Sequence, residues 1–256
     1  MNIIKKFVYD NVVPVAGSLL KSKNKFINVI YYHDIIEGEG NGAQQTNIEA
    51  FKKQMEYIAS KGYKTLTFDD IENGADISFN DKYVLITFDD GWLSNYSIFE
   101  FMKEKNIKYN IYLAVSEISN NPEYLTWEQI REMHNSGIVG FGAHTYSHVS
   151  MKDIEEIDTQ KEVEEANDII FKEIGFYPVD FCYPYGQFTE ESNKFLLEKT
   201  RYKRIYTSEH DFSYGVGDKI IFGRNSINGA EDFKTFVNKL NGKYNAFNTV
   251  RGKWNE

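Results

Sequence analysis

Tyr83-Val84-Leu85-Ile86-Thr87-Phe88-Asp89-Asp90-Gly91 is a run of six strand-forming residues that stops at two adjacent carboxylates. A strand apolar at successive positions is covered on both faces, so 83–88 reads as a fully buried strand. Working outward, the same alternation of strand and helix continues in both directions. Upstream lie a β-branched strand over 27–32 and a helix over 48–60 with Phe51, Met55 and Ile58 on one face. Gly62 stands where that helix would be capped, and a short strand follows over 63–67. Downstream the pattern predicts a helix over 95–105, a strand over 110–115 and a helix over 127–135, the last capped by Thr126 and stopped at Gly137. A strand over 138–143 and a long acidic helix over 153–173 come next, then a strand over 179–183, a helix over 190–199 and a strand over 204–207. A last strand over 220–222 and a helix over 231–240 complete the series.

Alternating βα units imply a parallel sheet, either open or closed into a barrel. No Gly-, Ser- or Pro-rich linker divides the 256 residues, so one domain is expected over 27–242. It would have an N-terminal arm over 1–26 and a polar, loosely held tail over 243–256. In the arm, Lys5 and Lys6 precede a mildly apolar stretch resembling a signal peptide. Asp10 and Pro14 interrupt it, and the uncharged run over 11–20 is too short to span a bilayer. A packing arm or short amphipathic helix is the favoured reading, leaving peripheral membrane contact open. No other segment could cross a membrane, and without a convincing signal peptide the expected compartment is the cytoplasm, with secreted or membrane-peripheral placement as alternatives.

Net charge is −9, with 41% hydrophobic and 26% charged residues, the balance of a soluble globular protein. With no basic block evident, nucleic acid and strongly anionic polymers are excluded as partners. A neutral or amine-bearing glycan suits this charge better. Cys182 is the one cysteine, so neither an intrachain disulfide nor a cysteine-based metal site is expected. Nothing in the sequence bears on oligomeric state.

Three polar clusters follow strands, where active sites of α/β folds assemble. In the first, Asp89 and Asp90 repel one another. A divalent cation on one would leave the other free as a base, with a bulge or turn at Gly91 bringing both into one site. Thr67-Phe68-Asp69-Asp70 repeats the string, but Ile71-Glu72-Asn73-Gly74 follows it, and there the aspartates read as helix N-cap and first-turn residues. The string alone is therefore weak evidence. The second cluster, His144-Thr145-Tyr146-Ser147-His148, carries histidines at i and i+4, which on a helical turn can share one cation. Two histidines and a carboxylate leave open coordination positions, as in a catalytic zinc site. The third is Tyr183-Pro184-Tyr185-Gly186, a turn fixed by Pro184 and Gly186.

In this order, Thr87 to Gly91, His144 to His148 and Tyr183 to Gly186 resemble the signature of the polysaccharide deacetylase family (NodB homology, carbohydrate esterase 4). Thr126-Trp127-Glu128-Gln129-Ile130 and Ser136-Gly137 resemble it too, and the likeness spans about 27–227. The resemblance implies a distorted (β/α) barrel with mostly parallel strands. It implies Asp89 as base, and Asp90, His144 and His148 as ligands of one zinc or similar divalent ion, with cobalt and nickel as alternatives. The Tyr185 N–H, presented by the Pro184 turn, would help hold an oxyanion. The implied substrate is an N-acetylated sugar or glycan.

The chain departs from the family pattern at Cys182, where an arginine is usual, and in lacking a C-terminal Leu-x-His acid. His210 sits in a polar loop without that leucine. Tyr31-Tyr32-His33-Asp34 resembles the poly-N-acetylglucosamine deacetylase branch, which makes His33 the expected acid; a strand-end histidine bonded to a carbonyl is the plain alternative. Arg224 resembles a late family arginine that orients Asp89, with a surface ion pair as its plain reading. Rival functions are a non-carbohydrate amidohydrolase on this fold and a non-catalytic glycan-binding protein.

Overall fold

A computed structural model of the chain describes residues 6–247 other than 21, 22, 24, 41, 43, 81 and 228. Among these residues, ten strands join in one curled α/β sheet. From one end its order is β10 (Tyr214–Val216), β11 (Lys219–Phe222), β9 (Arg204–Tyr206), β8 (Asp180–Cys182), β7 (Val139–Ala143), β6 (Tyr109–Leu113), β5 (Tyr83–Phe88), β1 (Asn28–Tyr32) and β12 (Asn225–Ser226), while β4 (Lys64–Thr65) pairs with the start of β5. Every pairing is parallel except β10 with β11. The expected barrel is thus a curled, mostly parallel sheet in a single domain, with β10 and β12 at the two ends of its strand order.

Period-two alternation sorts the side chains. Ile30, Tyr32, Val84, Ile86, Phe88, Ile111, Val139, Phe141, Phe181 and Ile205 join the large core shared with helices such as α2 (Ile48–Ser60) and α6 (Trp127–Asn135). Val29, Leu85, Tyr112, Cys182, Tyr206 and Phe222 form a second cluster on the concave face, closed by Phe68 and Ile71 of the short helix α3 (Phe68–Glu72). Space there is tight. A Cβ on Gly142 would meet the Tyr112 ring at 2.7 Å, and one on Gly140 would overlap Asn110 Oδ1. The glycines of β7 therefore leave room for Tyr112 and for Asn110, which accepts from the Phe68 N–H (2.7 Å) and donates to Leu66 O (3.0 Å).

Several expected bounds change. The helix over 95–105 is two pieces, α4 (Ser94–Ser97) and α5 (Phe99–Glu104), broken at Ile98, where both Ile98 and Phe99 turn into the core. The strand over 63–67 shortens to Lys64–Thr65 because Thr67 leaves the sheet to cap α3. Two small strands, β2 (Asp34–Ile36) and β3 (Gln45–Asn47), pair outside the main sheet and were not legible as periodic runs. Over 8–20 the arm is helical, a π-helical turn Val8–Val12 leading into α1 (Val13–Leu20). The tail is not loose over 243–247: Tyr244, Asn245 and Ala246 are buried, and Asn225 Nδ2 donates to Asn245 Oδ1 (2.6 Å). Residues 248–256 lie outside the described part.

Candidate active site

The site forms at the C-terminal ends of β1, β5, β7 and β8. Alternation puts Thr87 and Asp89 on the concave face and would send Asp90 to the other side. Asp90 instead takes φ +76° and Gly91 φ +86°, so the chain turns at Asp90 itself, one residue earlier than expected, and both carboxylates face the concave mouth. A left-handed φ at a non-glycine residue costs about 1 kcal/mol or more. Backbone bonds hold the turn: Asp89 N–H donates to Tyr32 O (3.0 Å), Ala114 N–H to Asp90 O (3.2 Å) and Leu125 N–H to Gly91 O (2.9 Å).

His144 and His148 are not on a helical turn. The segment is irregular, with Thr145 at φ +63° and His148 at φ +58°. It is pinned from both sides instead. Val115 and Ser116 donate to Thr145 O and Tyr146 O (3.4 and 2.8 Å), while the Glu162 carboxylate accepts from Ser147 N–H and Oγ–H, both at 2.7 Å. The two imidazoles converge through this irregular backbone and not through the shared face of a helical turn.

Asp90 Oδ1 lies 3.4 Å from His144 Nε2 and 3.0 Å from His148 Nε2. It is buried yet accepts no hydrogen bond. His144 Nδ1 is 2.7 Å from the Cys182 carbonyl, which can only accept, so Nδ1 carries the proton and Nε2 turns a lone pair toward Asp90. Lone pairs of nitrogen and carboxylate meeting at one point repel unless a cation sits between them. A backbone-bonded imidazole is also the usual outer support of a metal-ligating histidine. The residues therefore fit a divalent ion. Burial opposes ionisation of Asp90, but imidazoles carrying a proton in place of the cation outweigh it and hold its carboxyl well below the usual carboxylate range. The same contact raises His148 against the opposing effect of its burial.

Asp89, His144 and Cys182 also offer ligand atoms within 4.8 Å of one another, but Arg224 occupies that space. Its guanidinium donates to Asp89 Oδ1 and Oδ2 (2.7 and 2.8 Å) and approaches Cys182 Sγ at 3.0 Å. Arg224 is fully buried and lies 4.1 Å from the Tyr31 ring centroid, which rules out a surface ion pair. The arginine missing at 182 is thus supplied from the segment between β11 and β12, into space that the small thiol leaves open. Burial pushes the Asp89 pKa up, and Arg224 overcomes this to keep it below its ordinary value.

His33 follows β1 and points its Nε2 at Asp89 Oδ2, 3.8 Å away. Its Nδ1 makes no hydrogen bond, so the carbonyl-bonded strand-end reading does not describe it. His210 is half-buried elsewhere: its Nε2 is 3.1 Å from Ser226 Oγ, and desolvation of the ring pushes its pKa down to about 3. Tyr185 has φ +59°, 60% relative exposure and a ring 4.7 Å from that of His148. Pro184 begins its 3₁₀ turn, Pro184–Gly186.

Sequence reading missed the segment that ties these groups together. Trp92 Nε1–H donates to Asp90 Oδ2 (3.0 Å), and its indole stacks on Tyr124 at 4.5 Å. Asn95 Nδ2 donates to His33 O (3.0 Å), and Ser94 Oγ accepts from Ile35 N–H (3.0 Å). An indole two residues beyond a carboxylate at a tight turn was the available signal for Trp92. Asn95 and Ser94 had none, because their partners lie about sixty residues away.

A family model described as polysaccharide deacetylase matches residues 76–204. A Bacillus subtilis (strain 168) protein, YxkH, is 29% identical over 184 residues, 71% of this chain and 64% of its own length. A Bacillus cereus peptidoglycan-N-acetylglucosamine deacetylase is 26% identical over 123 residues, 47% of this chain and 42% of its own. The chain thus spans less than two-thirds of either relative. Among solved structures, the Streptococcus pyogenes deacetylase PplD in complex with acetate superposes with a TM-score of 0.75 at 18% identity, covering 85% of this chain and 99% of that one. At that identity the likeness shows the fold.

Proposed function

We propose that this chain, which belongs to the polysaccharide deacetylase family, is a hydrolase that removes N-acetyl groups from hexosamine residues of a glycan or glycan precursor, using one divalent cation. The observation that carries the reading is the convergence of Asp90 Oδ1, His144 Nε2 and His148 Nε2 beside an ionised Asp89 that faces an imidazole. A glycan as substrate is supported by the family and by the peptidoglycan-N-acetylglucosamine deacetylase among its relatives.

Asp90, His144 and His148 would hold the cation. When bound, such an ion supplies Lewis-acid polarisation of an acyl oxygen and acidifies a coordinated water. Zinc suits the nitrogen-rich donor set, with cobalt and nickel as alternatives.

Asp89 is the base. Arg224 donates one hydrogen bond to each oxygen of its carboxylate and keeps it ionised, while Oδ2 still faces the mouth and can accept the proton of an attacking water. His33 Nε2, on the same side of Asp89, gives a proton to the departing amine. The Tyr185 N–H, presented by the Pro184 turn, adds a donor for the developing oxyanion.

Acetate release from N-acetylglucosamine oligomers, compared with small non-carbohydrate amides, tests the reaction. Release from the small amides alone would replace the glycan reading with a general amidohydrolase. His33→Ala should slow turnover with metal content unchanged, and a wild-type rate would remove His33 as acid.

A further inference from the structure

The arm stands apart from the rest of the chain in charge. Residues 1–26 hold five lysines and one aspartate, a net +4, so the other 230 residues carry −13. No described helix is long and apolar enough to cross a membrane. Yet α1 shows a large apolar surface: Leu19 is 78% exposed, Val15 60%, and Phe7, just before the π-helical turn, 62%.

The other face of α1 is docked. Val13, Pro14 and Gly17 are buried. A Cβ on Gly17 would overlap the Lys243 carbonyl, so only glycine allows this close approach. Tyr9 packs its ring against Tyr244 (4.8 Å) and donates to Glu231 Oε1 (3.3 Å). The arm's orientation is therefore set by the domain, and its apolar stripe faces outward by construction.

Tertiary packing then adds charge. The shallow groove of about 390 Å³ along the stripe is lined by Val15 and Leu19, and by Lys234, Asn238 and Lys243 from and beyond the last described helix (Phe233–Leu240). Asp10 also lines it, but pairs with Lys6 at 3.1 Å. Although no basic block was evident along the sequence, folding assembles a basic-rimmed apolar face from segments more than 200 residues apart.

We infer that α1 is a docking surface for an anionic lipid bilayer, with Phe7, Val15 and Leu19 entering the acyl boundary and Lys234 and Lys243 meeting the headgroups. Exposed apolar side chains bordered by lysine are the chemistry of an in-plane interfacial helix. The −13 on the remaining chain does not oppose this strongly, because screening limits its reach to about 10 Å from the surface. A second copy of the chain is the competing occupant, but Lys234 and Lys243 on one copy would face the same lysines on the other.

Co-sedimentation of the full chain with phosphatidylcholine vesicles, with and without phosphatidylglycerol, tests the inference and does not depend on deacetylase activity. Binding is expected to the anionic vesicles only, weakening as salt is raised. Leu19→Glu should weaken it about tenfold or more while keeping circular dichroism and melting temperature. Lys234→Gln, at an exposed position, should weaken it about fivefold and serves if the first variant does not fold. No binding by the intact chain, or equal binding by both variants, overturns the inference. So does a dimer that Leu19→Glu converts to monomer without any vesicle binding.

Discussion

Thr67-Phe68-Asp69-Asp70 and Thr87-Phe88-Asp89-Asp90 are the same four residues in two places, and they do different things. Thr67 is a helix N-cap: its Oγ accepts from Asp70 N–H (3.1 Å), and Asp70 accepts from Thr67 N–H (2.8 Å), a capping box. Thr87 is a strand residue whose hydroxyl donates to Ile30 O (3.2 Å) beside Arg224. Phe68 faces the concave cluster and Phe88 the helix-covered core. Asp70 meets Lys108 (2.7 Å) where water still reaches both, whereas Asp89 meets Arg224 where the guanidinium is wholly buried and the carboxylate nearly so. The deciding difference precedes and follows the motif. Six strand residues feed Asp89 into the mouth of the sheet, and Gly91 lets the chain turn there; only Lys64–Thr65 precedes the first string, and a helix begins within it. Identical side chains acquire chemistry from the strand that delivers them.

The sharpest way to break this comparison is to make matched changes in both strings. Asp90→Ala should abolish stoichiometric divalent binding by calorimetry and all turnover, while Asp70→Ala binds metal normally; equal behaviour would sink the site. Asp89→Asn should lower turnover by about 10²–10⁴-fold with metal content intact, and Asp69→Asn should leave both unchanged. Arg224→Gln leaves Asp89 buried without its partner, at a cost of about 3 kcal/mol or more in urea denaturation, together with slower turnover. Trp92→Phe, which removes the hydrogen bond to Asp90 Oδ2, should weaken metal affinity about 10–100-fold.

The smallest effect belongs to the capping string. Asp70→Ala should cost about 1 kcal/mol, the scale of one carboxylate at a helix N-terminus, since its partly exposed pair with Lys108 adds little. Burial raises the Asp70 pKa, but Lys108 and the Thr67 bonds outweigh it and leave the folded pKa depressed. The stabilisation is therefore present above the unfolded carboxylate pKa and is lost as pH falls through the lower, folded one. Melting curves of wild type and variant should converge in acid below that range and separate above it.

One part of this molecule is written in local periodicity and in residue chemistry. The buried strand over 83–88, the helices over 48–60, 127–135 and 190–199, and the choice of Asp89, Asp90, His144 and His148 as the residues to watch all came from spacing, caps and motif order. Tertiary structure decided where those residues meet. The turn at Asp90 rather than Gly91, the irregular backbone that aims both imidazoles, and the arrival of Arg224 in the space beside Cys182 depend on partners from 15 to 135 residues away. Trp92, Asn95 and the lysine-edged face of α1 belong with them. A strand's period follows from its own steric preferences, whereas a buried ion pair or a strained φ is held only by the contacts that surround it, and those exist only once the sheet has curled.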